Sequence, residues 1–166
     1  MQNQVSHVLF VSKENACRSL LAEACLRHLG GKKFKVFSCG VPNKVSERPQ
    51  SWTLLALQTA GIVSTDLRCK PWTEFTRSGA PKMDFVIALD AKTAGDHPSW
   101  PGQPETALWE YPAVGTQPSV SKLDPGIEAV NVLFSLRRRI ELLVSLHSRA
   151  GSRAELRHDL RDLAHV

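Results

Sequence analysis

What the sequence lacks narrows its class before anything else does. It carries four cysteines in 166 residues, Cys17, Cys25, Cys39 and Cys69, and no two of them form a C-x-x-C pair. That excludes a zinc ribbon or a thioredoxin-type motif, and four is too few for a disulfide-stapled secreted scaffold. No stretch approaches the roughly 18 apolar residues that a membrane-spanning helix needs. The opening residues, MQNQVSHVLFVSKENA, have no basic leading region and an apolar run of only VLFV, so no signal peptide is expected. There is no internal repeat and no low-complexity tract. The six histidines are scattered without metal-ligand spacing, so neither a metal site nor a cofactor is expected.

What is present fits an ordinary globular chain. Apolar residues make up 42%, enough for a real core at this length, and 22% charged residues argue against wholesale disorder. The 21 Lys+Arg against 16 Asp+Glu leave a formal charge of +5, too modest to require a nucleic-acid partner. The composition therefore leads to the expectation of a cytoplasmic, mildly basic, single-domain globule with no membrane association.

Hydrophobic periodicity supplies the architecture. Val5 to Val11 ends in a continuous apolar run, the pattern of a strand buried on both faces of a parallel sheet. A polar segment, 12–18, follows. SLLAEACLRHLG then places Leu21, Ala24, Cys25 and Leu29 at helical spacing, with Gly30-Gly31 as the stop. Residues 33–38 read as a second strand, 49–60 as a helix closed by Gly61, and 84–89 as a third strand. Residues 95–104 hold three prolines and two glycines and read as a loop, with a short last strand at 106–109. Asp124-Pro125 is a helix start, an N-cap followed by Pro at the first helical position. The long helix after it carries Ile127, Val130, Leu133, Phe134, Ile140, Leu143, Val144 and Leu146 on the expected apolar face. Leu156, Leu160 and Leu163 suggest a short amphipathic helix in a tail hinged at Gly151, so residues 1–150 are taken as one α/β domain and 151–166 as a helical tail. Alternating strands and helices imply a mostly parallel sheet.

The segment with chemical content is the loop Ser12-Lys13-Glu14-Asn15-Ala16-Cys17-Arg18-Ser19. A loop between a parallel strand and a helix start lies at the carboxyl end of the sheet, where open α/β sheets bind ligands. Successive backbone N–H groups backed by a helix dipole make an anion nest there. Arg18 can add a guanidinium fork for phosphate-like oxyanions, and Asn15 tolerates left-handed backbone angles. A plain strand-to-helix loop with a solvated Arg18 remains the alternative on these residues alone.

Here the sequence resembles a family: the low-molecular-weight protein tyrosine phosphatases and the related thioredoxin-coupled arsenate reductases. The matching residues are VLFV, Asn15, Arg18-Ser19 and Leu21-Ala22-Glu23-Ala24. They continue through Ser38, Gly40 and Pro42, Gly61-Ile62, Leu67-Arg68-Cys69-Lys70 with Trp72 and Phe75, Pro81 to Ile87, and Trp100-Pro101-Gly102-Gln103-Pro104. The last of these motifs and Leu67 to Trp72 lean toward the reductase-like branch. The resemblance spans roughly residues 5 to 147 and implies a three-layer α/β sandwich on a four-stranded parallel sheet. It also implies that the Ser12–Ser19 loop binds phosphate, sulfate or a phosphotyrosine-like group, with Ser19 hydrogen-bonding at the nucleophile position.

The departures carry as much information. The family's nucleophile is a cysteine at the position of Ser12. A nest plus arginine depresses a thiol's pKa, whereas a serine hydroxyl needs an adjacent base, which this loop does not offer. By comparison with nucleophile removal in subtilisin, the loss would be on the order of a million-fold in turnover. The reductase branch carries two further cysteines where this chain has Leu89-Asp90 and His97-Pro98, so that redox relay is missing. The family's general acid is an Asp before Pro. Tyr111-Pro112 keeps the flanking pattern without the acid, and Asp124-Pro125 keeps the dipeptide displaced, so Asp124 is either the acid or a helix cap. Ser12 is then either a natural divergence, which the changes outside it favour, or an engineered substitution in an active tyrosine phosphatase.

Other features have plainer readings. Cys17 is expected to pack under the loop, and Cys25 and Cys39 to be buried structural thiols. The four tryptophans read as anchors, with Trp72 or Trp100 able to wall the cleft. Arg149, Arg153, Arg157 and Arg161 would form a stripe if they shared one helix, a face for an acidic protein partner. Glu155, Asp159 and Asp162 interleave with them and favour a solvated charged face, which also argues against nucleic acid.

Overall fold

A computed structural model describes residues 5–115, 124–149 and 153–165. Its centre is a four-stranded sheet of β1 (Ser6–Val11), β2 (Phe34–Cys39), β3 (Phe85–Ala88) and β4 (Glu105–Leu108). Every pairing is parallel and the order is β2-β1-β3-β4. The helices are α1 (Arg18–Gly30), α2 (Ser51–Thr59), α3 (Thr73–Thr76), α4 (Ala91–Gly95), α5 (Pro125–Arg149) and α6 (Arg153–Leu163). No helix among the described residues is long and apolar enough to cross a membrane.

The apolar run of β1 is explained by burial on both faces. Val8 and Phe10 enter the core built by α1, α2, α5 and α6, while Leu9 and Val11 face Cys39, Phe75, Met83, Val86 and Trp100. Each fully buried side chain of this size contributes roughly 1.5–3 kcal/mol. The two outer layers are unequal. Long helices cover one face; the other has the single-turn α3 and α4 and the proline-rich loop. Neither of these short helices is marked by periodicity in the sequence, since one turn is too short to show a repeat.

The long helix differs from its predicted face. Ala129, Val132, Leu133, Leu136, Ile140, Leu143 and His147 are its buried residues, while Ile127 and Phe134 are more than half exposed. The chain's apolar residues outnumber the places on one stripe, so spacing alone does not choose among them. Arg149 is the last residue of α5 and Arg153 the first of α6, so the four arginines are divided between two helices as described, and the expected hinge at Gly151 lies outside the described residues. Leu156, Leu160 and Leu163 of α6 enter the same core as α5, and Arg161 bonds Glu105 of β4 at 2.5 Å.

The strand order positions the site. From β1 the chain runs to β2 on one side, then returns to β3 on the other. The carboxyl ends of β1 and β3 therefore flank a topological switch point, where loops diverge and leave a crevice.

Candidate functional site

Ser12 leaves β1 at that crevice, and the loop after it turns its carbonyls outward. The Lys13 carbonyl accepts from the Val41 N–H at 3.0 Å, that of Glu14 from Ser46 at 3.0 Å, and that of Cys17 from Leu21 at 2.8 Å. The Ala16 carbonyl accepts from the Gln50 N–H at 3.0 Å and the Thr53 hydroxyl at 2.8 Å. Among the described residues, none of the N–H groups from Lys13 to Arg18 donates to an acceptor within the chain. Carbonyls fixed outward leave these amides facing inward, at the start of a 13-residue helix whose dipole favours negative charge. Asn15 makes the turn with φ of 51°. Gly40 lets the end of β2 close on it: a Cβ there would lie 3.0 Å from the Lys13 carbonyl oxygen.

The loop encloses a cavity of about 200 Å³ lined by Ser12, Lys13, Glu14, Asn15, Ala16, Cys17 and Arg18, with Gln50, Ala113 and Val114 opposite. The structure thus brings together seven of the eight predicted loop residues, and Ser19 lies beneath them, fully buried. Neither Trp72 nor Trp100 walls this cavity. Trp100 lines a separate one with Val11, Thr93 and His97, and Trp72 packs edge-on against it.

A buried polar network holds the loop from below. The Ser12 Oγ lies 2.6 Å from the Ser19 Oγ. Asn15 donates its amide N–H groups to Ser19 at 2.7 Å and Ser38 at 3.0 Å, and its carbonyl accepts from the Lys70 N–H at 2.9 Å. Ser38 donates to Glu23, whose carboxylate also faces Arg27 at 2.5 Å and Lys70 at 3.8 Å. Burial pulls the Lys70 ammonium's pKa down, against the pull of Glu23. Asn15 spends one proton on each serine, and in the bond between Ser12 and Ser19 either hydroxyl can donate. The same count breaks any relay: Glu23 is a carboxylate at the far end, but an amide nitrogen that donates in both directions passes no proton between the serines. Among the described residues, Ser12 hydrogen-bonds no carboxylate or imidazole.

Arg18 is 8% exposed. It donates to the Tyr111 carbonyl at 2.9 Å and pairs with the Asp90 Oδ2 at 3.3 Å. Asp90 caps α4 with its other oxygen, accepting from the Thr93 N–H at 2.8 Å. Sequence reading missed Asp90 as a partner of Arg18; its place at the end of β3, beside the switch point, is the signal that could have found it. Gln50 was also missed, since an N-cap glutamine carries no motif.

Neither position considered for the general acid puts a carboxylate in the cavity wall. Asp124 is exposed at the start of α5, where its Oδ1 accepts from the Gly126 N–H at 2.7 Å and its carbonyl from Glu128 at 3.0 Å. That is the geometry of a helix cap. Tyr111 is buried, with its hydroxyl accepting from Ser135 at 3.4 Å and its ring beneath Arg139. All four cysteines are free. Burial pushes the Cys17 thiol up to about 11 and Cys25 up to about 12, and raises Cys39 and Cys69 as well. None is a thiolate near neutral pH.

The family described as low molecular weight phosphotyrosine protein phosphatase matches residues 7–108. A glutaredoxin arsenate reductase of Synechocystis sp. is 31% identical over 103 residues, 62% of this chain and 74% of that protein. The tyrosine phosphatase Wzb from Escherichia coli K30, solved in complex with sulphate, superposes with a TM-score of 0.67 at 18% identity, over 86% of this chain and 98% of that one. An arsenate reductase in the phosphate binding state superposes with a TM-score of 0.61 at 24% identity, over 85% and 98%. At these identities the two structures show the shared fold. With the family match covering more than half of the sequence and the four-stranded parallel sheet in place, the chain belongs to the low molecular weight phosphotyrosine protein phosphatase family.

Proposed function

We propose that this protein binds a tetrahedral oxyanion, such as phosphate, sulfate or a phosphotyrosine-like group, in the Ser12–Arg18 loop, and turns it over negligibly. The observation that carries the reading is the set of inward amides from Lys13 to Arg18, left without acceptors while the loop's carbonyls are tied outward. Arg18, held by Tyr111 and Asp90, adds the positive charge. Structures of similar fold that hold sulphate or phosphate support the ligand class.

Ser12 determines what the site does with its ligand. A thiolate at this position would attack a bound phosphoryl group and would also repel it. A neutral hydroxyl can donate its proton to a bound oxyanion and does neither. With no carboxylate or imidazole hydrogen-bonded to Ser12 among the described residues, and no carboxylate in the cavity wall from Asp124 or position 111, the site is a receptor, and the protein acts as a pseudo-enzyme of the phosphatase fold.

Titration with phosphate and sulfate tests the binding, and aryl phosphate hydrolysis tests the turnover. Arg18→Ala is expected to weaken binding by roughly tenfold to a hundredfold, the range for a hydrogen bond to a charged group. Equal affinity for both proteins, or no binding by either, overturns the receptor reading. Hydrolysis by the Ser12 protein at rates near those of Ser12→Cys overturns the pseudo-enzyme reading.

A further inference from the structure

The geometry points to Gln50 as an additional oxyanion ligand on the outer lip of the cavity, held in its donating orientation by Trp52. This rests on the receptor reading above and extends it to a side chain outside the loop. Gln50 lines the cavity opposite Ser12–Arg18. Its backbone is fixed from both sides: its N–H donates to the Ala16 carbonyl at 3.0 Å, and its own carbonyl accepts from the Thr53 N–H at 2.9 Å. Its side-chain carbonyl accepts from the Trp52 indole N–H at 2.8 Å.

That last bond removes the usual ambiguity of a glutamine amide. The indole N–H is a donor only, so the atom facing it is the oxygen. The Gln50 amide nitrogen must then point the other way, and no described residue accepts from its two N–H groups. Trp52 is itself pinned. Its six-membered ring lies against Gly115, where an added Cβ would come within 2.8 Å. Gly115 directly follows Ala113 and Val114, which form the cavity's other lip. One indole therefore spans the two lips, fixing the Gln50 amide on one side and packing on the backbone of the other. An anion in the loop meets the backbone amides, Arg18 and the Ser12 hydroxyl from below, and a neutral, preset N–H donor from the rim.

Sulfate is the probe of choice, because its charge does not change between pH 4 and 8. In the unaltered protein, saturating sulfate should shift the Gln50 side-chain amide and Trp52 indole N–H resonances together, with the same midpoint as binding. Gln50→Leu is expected to weaken sulfate binding about tenfold. Gln50→Glu keeps an acceptor for the Trp52 N–H but sets a carboxylate oxygen toward the anion. It should lose binding at pH 7.5 and regain it as the pH falls through the carboxylate range. Trp52→Phe, which frees the amide to rotate, should weaken binding by a smaller factor. Binding by Gln50→Leu and Gln50→Glu equal to that of the unaltered protein, or a silent Gln50 amide at saturation, overturns the assignment of Gln50 and leaves the loop receptor standing. Failure of the unaltered protein to bind sulfate or phosphate at all overturns the receptor reading, and this inference with it.

Discussion

The two ends of β1 each bury a serine, and they bury it for opposite purposes. At the carboxyl end, Ser12 belongs to a chain of side chains running through Ser19, Asn15 and Ser38 to Glu23, and that chain ends at a cavity that Ser12 lines. At the amino end, Ser6 bonds the His147 Nε2 at 2.9 Å, and the His147 ring packs tilted against Phe34 with ring centroids 4.4 Å apart. The other ring nitrogen of His147 is buried without a hydrogen-bond partner. This second pair looks like nucleophile and base, yet among the described residues no third group hydrogen-bonds the imidazole. Buried polar side chains become a binding site when their unpaired donors converge on open space; when they face packed side chains they only join helix to strand.

The largest contrast is expected from Asn15→Ala. It removes three buried hydrogen bonds and places alanine at φ of 51°, for a loss of roughly 3–5 kcal/mol of stability and of oxyanion binding together. Chemical denaturation and phosphate titration measure the two. A stable variant that still binds would mean the network below the loop does not shape it.

The amino end should instead answer to pH. Burial lowers the pKa of His147 from its ordinary 6.5, with Lys33 adding to the effect. The unfolded chain therefore takes up a proton at His147 before the folded one does. Its contribution to stability is complete above pH 6.5 and is lost as the pH falls from there toward the depressed folded value. Burial and Lys35 shift His7 in the same direction, so His147→Phe should reduce the slope rather than abolish it. Urea midpoints compared between pH 7.5 and 5 test this. An unchanged slope in the variant would contradict it.

The smallest effect belongs to Asp124→Ala. Loss of a helix cap costs about 1 kcal/mol, and a cap outside the cavity leaves phosphate affinity where it was. A clear fall in affinity with intact stability would move Asp124 from the helix end into the site.

These contrasts also mark what the residues disclosed in advance. β1 was legible because an uninterrupted apolar run has few uses other than a strand buried on both faces. The loop was legible because Asn15, Arg18 and Ser19 stand at fixed offsets after it. The start of α5 was legible from Asp124-Pro125. Asp90 and Gln50 were not, because each acts through one long-range partner: Asp90 through Arg18 across the sheet, Gln50 through the direction its amide is forced to take. Spacing along the chain carries no record of such pairings. The exposed Ile127 and Phe134 show the converse limit, since a helix with surplus apolar residues does not announce which of them the core accepts.

The claim that the loop between β1 and α1 is an anion receptor is tested most directly by following its backbone amides during a phosphate titration by NMR. The six N–H groups from Lys13 to Arg18 are predicted to shift together and saturably, with a common midpoint that Arg18→Ala moves to higher concentration. Amides that stay in place as phosphate is added, or that shift without saturating, would contradict it.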